Sequence, residues 1–332
     1  LSRVLIVKTG AAGDIVRTTP IMTLLARDAV DWLTAPRYAP LLTGTAARIV
    51  TRPADLACHG PYDLVISLEE SPELLRCVFS AIRHRQVIGA YPDADGAVRY
   101  TRELAAWFDM SLIGAHGMAQ ANRLKRSNRR TFQEILFAGL GATFASEEYI
   151  LPEAGPSRPK GRIALVDHVG ARWPNKRWSG MRALAAELNG IGGVTILPLR
   201  RSLLAHLADI AAHDVVVTPD SLPLHLALGS GKATIGLFNC TSPWEIHPYG
   251  RMTALVSTRL NDFYYATEPS AEAMAAIDVE TVHAAVLSAL AKTVMPAPSA
   301  GFAVPPATRS ASGFRFETDG SAADRRSGVP PS

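Results

Sequence analysis

Cysteine, aromatic residues and long apolar runs are all scarce in this chain of 332 residues. Its three cysteines, Cys58, Cys77 and Cys240, are odd in number and far apart. That spacing fits neither a disulfide framework nor a closely spaced zinc site, so reduced thiols packed in a core are expected. No apolar run approaches the roughly 20 residues that crossing a bilayer requires, so no membrane-spanning helix is expected. The opening residues lack a basic segment followed by an apolar stretch and a small-residue cleavage site, which makes the cytoplasm the expected location. Charge of either sign is also limited, with a formal net charge of +4, and nothing in that balance calls for a nucleic-acid partner. Basic residues gather only in "NRLKRSNRR", where Lys125, Arg126, Arg129 and Arg130 either meet phosphates of an acceptor or of a membrane surface, or form a solvated helix face.

What the chain does contain is a recurring alternation. Strand-like runs at Arg3 to Val7, Asp31 to Thr34, Asp63 to Leu68 and Gln86 to Gly89 are separated by segments of helical spacing such as Pro20 to Arg27. A second series includes runs at Ile163 to Val166, Val194 to Leu197, Val215 to Thr218 and Ala233 to Phe238. Helices are predicted there at Ser179 to Leu188, Leu203 to Ala212 and Leu222 to Leu228, with a final one capped by Asp278. Such alternation predicts an α/β protein with parallel sheets and helical crossovers. The expected organisation is a first doubly wound domain over 1–150, a Pro- and Gly-rich linker over 151–161 and a second doubly wound domain over 162–292. From 296 to 332, Pro, Ser, Ala and Gly dominate without apolar periodicity, which predicts a disordered tail.

The first strand runs into "KTGAAGDIVRTTP", a glycine-containing turn at the carboxyl end of a parallel strand, where open α/β sheets bind ligands. Gly10 and Gly13 let the backbone bend and approach a ligand closely. Asp14 at such a turn serves either as a general base or as the cap of the following helix, which the Thr19-Pro20 pair is expected to start. Neither the Gly-Lys-Ser/Thr ending of a Walker loop nor the G-x-G-x-x-G of a dinucleotide site is present, which argues against a nicotinamide-dependent oxidoreductase.

The opening "RVLIVKTGAAGDIVRTTPI", together with "ARWPNKRW" (171–178), "VVVTPDSLPLHLAL" (215–228) and "ATIGLFNCTSPWEIHPYG" (233–250), resembles the family 9 glycosyltransferases, the heptosyltransferases of lipopolysaccharide assembly. "NRRTFQEILF" is similar to the middle segment of a subgroup of them. The resemblance implies a GT-B fold of two Rossmann-like domains facing across a cleft, the first holding the acceptor and the second the nucleotide sugar. It implies that Asp14 is the catalytic base of an inverting, metal-independent transfer. Lys176, with Arg177 assisting, would stabilise the leaving diphosphate, while Asp220, Ser221 and His225 match an Asp-to-His donor motif at a helix start. Thr241 and Ser242 would donate to phosphate or ribose. The partners implied are a nucleotide sugar, ADP-heptose in relatives, as substrate rather than cofactor, and a lipopolysaccharide-core or other glycan or glycolipid acceptor reached by peripheral contact with the inner membrane.

Two departures from the family pattern set further expectations. Between Val194 and Val217 there is room for one helix only, so a β/α unit is missing from the second domain. The alternative that follows is a catalytically impaired member that binds a sugar or nucleotide or acts in assembly. Where some relatives carry a four-cysteine metal cluster, the stretch "NDFYYATEPSAEAM" (261–274) has no cysteine, and no bound metal is expected. The string Asp93-Ala94-Asp95 resembles the metal motif of GT-A transferases, but within "YPDADG" it reads as a turn.

Overall fold

The computed structural model describes residues 1–155 and 161–294. The predicted tail at 296–332 and the middle of the predicted linker lie outside the described residues. Five strands, β1 (Arg3–Val7), β2 (Ala29–Leu33), β3 (Arg48–Val50), β4 (Tyr62–Ser67) and β5 (His84–Pro92), are followed by a short β6 (Val98–Tyr100). They make one sheet in the order β3-β2-β1-β4-β5-β6, parallel except for the antiparallel β5/β6 pair. The helices of this half are α1 (Ala12–Thr18), α2 (Pro72–Ala81), α3 (Ala105–Phe108), α4 (Gly117–Ser127) and α5 (Phe132–Gly139). A second, wholly parallel sheet has the order β11-β10-β9-β7-β8, from β7 (Ile163–Leu165), β8 (Val194–Ile196), β9 (Val215–Pro219), β10 (Ala233–Phe238) and β11 (Met252–Val256). Around it lie α6 (Met181–Glu187), α7 (Leu203–Ala211), α8 (Leu222–Gly229), α9 (Ala271–Met274) and α10 (Val279–Val294).

The apolar runs form these strands because their side chains are buried on both faces, as in Val4, Leu5, Ile6 and Val7, or Val215, Val216 and Val217. One core layer of the second sheet includes Val16 of α1, Leu41 and Tyr149 beside Leu224, Leu226 and Ala227 of α8, so the two halves share apolar packing. The stretch 271–293 has the length and hydropathy of a bilayer span by composition, contrary to the expectation from the sequence. In the fold, a break after α9 divides it, and Val282, Val286, Ala289 and Leu290 of α10 pack onto the second sheet.

Several boundaries differ from those expected. The opening helix begins at Ala12, inside the glycine-containing turn, and Thr19-Pro20 ends it by starting a 3₁₀ turn over Thr19–Thr23. Pro20 has no N–H for a continuing helix, and the Thr18 and Thr19 hydroxyls donate back to the carbonyls of Asp14 (2.6 Å) and Val16 (2.8 Å). Asp14 therefore lies in the first turn of α1 and caps nothing downstream. Cys58 and Cys77 are exposed and only Cys240 is buried, because the first two lie on outward faces of a 3₁₀ turn and of α2. The Asp93 carboxylate accepts from the N–H groups of Asp95 (3.0 Å) and Ala97 (2.9 Å), the local bonding of a turn. Between β8 and β9 there is α7 alone, which leaves the three-residue β8 as the sheet edge.

Candidate active site

In an open parallel sheet, loops diverge where the strand order reverses, and a crevice opens at the carboxyl ends of the two strands flanking that point. The first sheet reverses between β1 and β4, and the second between β7 and β9. Residues following all four strands line a single cleft of about 570 Å³. From β1 come Lys8, Gly10, Gly13 and Asp14, and from β4 come Glu69 and Glu70. The loop after β7 supplies Gly170, Arg172, Trp173 and Lys176, and the loop after β9 leads into Asp220, Ser221 and His225. Ser242 and Glu245, beyond β10, complete the second wall.

The Asp14 carboxylate is partly exposed in this cleft, 2.9 Å from Arg17 and 3.9 Å from Lys8. Burial acts to raise its pKa, but Arg17 and Lys8, with His225 and Lys176 behind them, outweigh burial and hold it below the ordinary carboxylate value. It is an anion at neutral pH. Lys8 is itself fixed by Glu69 at 3.0 Å, whose same oxygen accepts from the N–H groups of Thr9 (2.7 Å) and Gly10 (3.2 Å). Arg17 is buried with its guanidinium over Phe132 (4.4 Å) and Trp107 (5.1 Å).

Across the cleft, the 3₁₀ turn Pro174–Lys176 aims Lys176 at Asp220, 2.9 Å away. Burial would raise the Asp220 pKa, yet the Lys176 ammonium brings it down to about 2. Ser221 stands at the N-cap of α8, and His225 lies one turn into that helix, buried. Burial, reinforced by the Arg17 charge, lowers the His225 pKa to about 4, so its ring is neutral. Gly13 makes this arrangement possible. A β-carbon there would sit 2.9 Å from His225 Cδ2, so only glycine lets α1 pack this closely on α8.

Not every residue singled out from the sequence meets the cleft. Arg177 turns outward to Asp167 at 3.3 Å, because successive residues leaving the 3₁₀ turn face different sides. Thr241 is buried beside Ser242 without lining the cleft. The basic cluster is divided. Lys125 is buried against Glu245 at 2.7 Å and lines the cleft as a neutralised charge. Arg126 lies over Tyr264 and donates to the Asn261 carbonyl, Arg129 lies over the half-exposed Trp244, and Arg130 donates to the Glu134 carbonyl, all exposed and outside the cleft.

Sequence reasoning passed over Lys8, Arg17, Glu69, Glu245 and Trp107. Lys8 and Glu69 carried a usable signal, since each lies within two residues of a strand's carboxyl end. Glu245 carried none, because its partners Lys125 and Arg17 are distant in the chain. No group of three or more metal-ligating side chains assembles among the described residues.

Residues 173–271 match glycosyltransferase family 9 (heptosyltransferase). No curated protein sequence matches the chain significantly. Among solved structures, the chain is similar to the ADP-heptose LPS heptosyltransferase II of E. coli at 14% identity and a TM-score of 0.59, covering 88% of this chain and 99% of that one. It is also similar to the E. coli heptosyltransferase WaaC, solved with ADP-2-deoxy-2-fluoro heptose, at 17% identity, a TM-score of 0.50 and coverage of 80% and 97%. The iron-containing dodecameric glycosyltransferase TibC of enterotoxigenic E. coli aligns at 11% identity with a TM-score of 0.54, covering 89% of this chain and 77% of that one. The two-sheet architecture is thus of the GT-B kind, and its second half carries the stretch that matches glycosyltransferase family 9.

Proposed function

We propose that this protein is a glycosyltransferase that moves a heptose or closely related sugar from a nucleotide-linked donor, ADP-heptose in first place, to a hydroxyl of a lipopolysaccharide-core or other glycan acceptor, with inversion and without a metal ion. The observation that carries the reading is an ionised Asp14 facing Lys176 across one cleft, each at the switch point of its own sheet. In the reaction, Asp14 takes the proton of the acceptor hydroxyl as its oxygen bonds to the anomeric carbon. The bond from that carbon to the diphosphate breaks on the opposite face, which inverts the configuration. Negative charge then grows on the diphosphate, which Lys176 and the Leu222 N–H at the start of α8 would receive, since Pro223 has no N–H and that of Leu224 is bonded to the Ser221 carbonyl.

On the acceptor wall, the Glu70 carboxylate accepts from the hydroxyls of Tyr100 and Ser111 and has no ion pair among the described residues. An acceptor that offers hydroxyl groups suits this wall better than a phosphate, since every cation there already faces a carboxylate. The expected location is the cytoplasm, with Arg126, Arg129 and Trp244 as the exposed basic and aromatic surface for contact with the inner face of the membrane.

The single helix between β8 and β9 favours a second reading, in which the chain binds a nucleotide sugar without transferring it. ADP release from ADP-heptose, with and without a lipopolysaccharide-core acceptor, separates the two. Transfer is expected for the native chain, and Asp14→Asn should lower kcat by roughly 10²- to 10⁴-fold while leaving ADP binding intact. Binding without turnover in the native chain would establish the second reading, and equal turnover in the variant would remove Asp14 from the chemistry.

A further inference from the structure

His225 is held from behind by two buried residues that do not touch the cleft. The carbonyl of Arg17 can only accept a hydrogen bond, so the Gln133 side chain must turn its amide nitrogen toward it, at 3.0 Å. The second hydrogen of the same nitrogen faces the Tyr149 hydroxyl at 3.2 Å. The Tyr149 oxygen therefore accepts from Gln133, and it lies 3.3 Å from Nδ1 of His225, a contact in which the hydroxyl can give its own hydrogen. The neighbouring Tyr249 hydroxyl donates elsewhere, to the Glu147 carbonyl at 3.1 Å. Gln133, Tyr149 and His225 are 1%, 5% and 4% exposed, so all three are largely shut off from bulk solvent.

We infer that Gln133 and Tyr149 are positioning residues that fix His225 as its Nε2–H tautomer, so that a neutral imidazole presents one N–H donor toward the Gly13-Asp14 turn and whatever ligand lies there. The direction of the ring agrees with this assignment, since the Cδ2–Nε2 edge is the one that approaches Gly13. A ring nitrogen that accepts from a fixed donor must place its proton on the other nitrogen. A neutral donor of this kind suits an oxygen of the departing diphosphate or a sugar hydroxyl and does not compete with Lys176 for charge. The assignment of the tautomer is independent of the transferase reading. Only the use of the N–H group rests on it.

Nitrogen-15 NMR of the full chain labelled at histidine tests the inference, with the His225 resonances assigned by their loss in His225→Gln. In the native protein, His225 should show an unprotonated Nδ1 and a protonated Nε2, constant from pH 8 to about 5.5, above the pKa of about 4. In Tyr149→Phe, the Nδ1 signal should shift and a second tautomer should appear. Donor turnover should fall about tenfold, the lower end of the loss seen when the partner that orients a metal-bound histidine is removed, mainly in kcat and with little change in KM. A protonated Nδ1 in the native chain, or ring spectra identical in the native and Tyr149→Phe proteins, would overturn the assignment. Because the native spectrum alone decides the tautomer, misfolding of the variant does not shield it. Absence of any turnover in the native protein would count against the transferase reading and leave the tautomer to the spectrum.

Discussion

Glu245 joins the two halves of the molecule electrically, and replacing it with glutamine isolates that role without changing side-chain volume. Its carboxylate lies 2.7 Å from Lys125 and 4.0 Å from Arg17, with side-chain exposures of 6%, 7% and 9% respectively. Removing one partner of a buried pair leaves the other charge uncompensated and typically destabilises by about 3–5 kcal/mol. Here both orphaned cations keep other company. Lys125 still faces the rings of Tyr265 (5.2 Å) and Trp107 (5.6 Å), and Arg17 still has Asp14 at 2.9 Å. The loss in Glu245→Gln is therefore expected at the lower end, about 3 kcal/mol. If the penalty arises from the stranded ammonium, then adding Lys125→Met should recover most of it, leaving the double variant within about 1 kcal/mol of the native protein. Urea denaturation followed by both tryptophan fluorescence and circular dichroism measures this, provided the two probes coincide. Equal losses in the single and double variants would refute the reasoning, because they would show that Lys125 is not stranded when Glu245 loses its charge.

Other expectations follow from the same geometry. Gly13→Ala forces its new methyl against the buried His225 ring and should destabilise by about 1–3 kcal/mol while lowering turnover. Gly170→Ala, with nothing within 4 Å of its would-be β-carbon, should stay within about 0.5 kcal/mol of native in the same denaturation assay. Stability should also fall on mild acidification. His225 and His206 are both lowered to about 4 by burial, assisted by Arg17 for the former and His168 for the latter. The unfolded chain therefore takes up protons below about pH 6.5 that the folded protein refuses until about pH 4. Denaturation at pH 7 and pH 5 should differ by about 2 kcal/mol per histidine, with lower stability at pH 5, and a flat profile would contradict the burial of these rings.

The sheets were legible in the sequence because buried parallel strands are written as short apolar runs, and β1, β9 and β10 fall where those runs fall. The start of α1 was not legible. Its N-cap is Ala11 with no side-chain hydrogen bond, so the helix begins without the polar signal that usually marks one, inside glycines that read as a turn. Asp14, Lys176, Asp220 and His225 could be named from motif positions, and the fold brings them to one cleft. The countercharges that tune them could not. Lys125 and Glu245 are 120 residues apart, and no local pattern tells a stacked, exposed arginine such as Arg129 from a buried, paired lysine such as Lys125.

The close seating of α1 on α8 has a consequence for how this molecule tolerates change. A bulkier residue along the shared seam displaces Asp14 or the His225 ring by about the thickness of a methyl group, so substitutions that never face the cleft still shift what lines it. Val16 and Leu224, which carry no chemistry of their own, belong to the same packed core layer, so drift in one helix calls for a matching adjustment in the other.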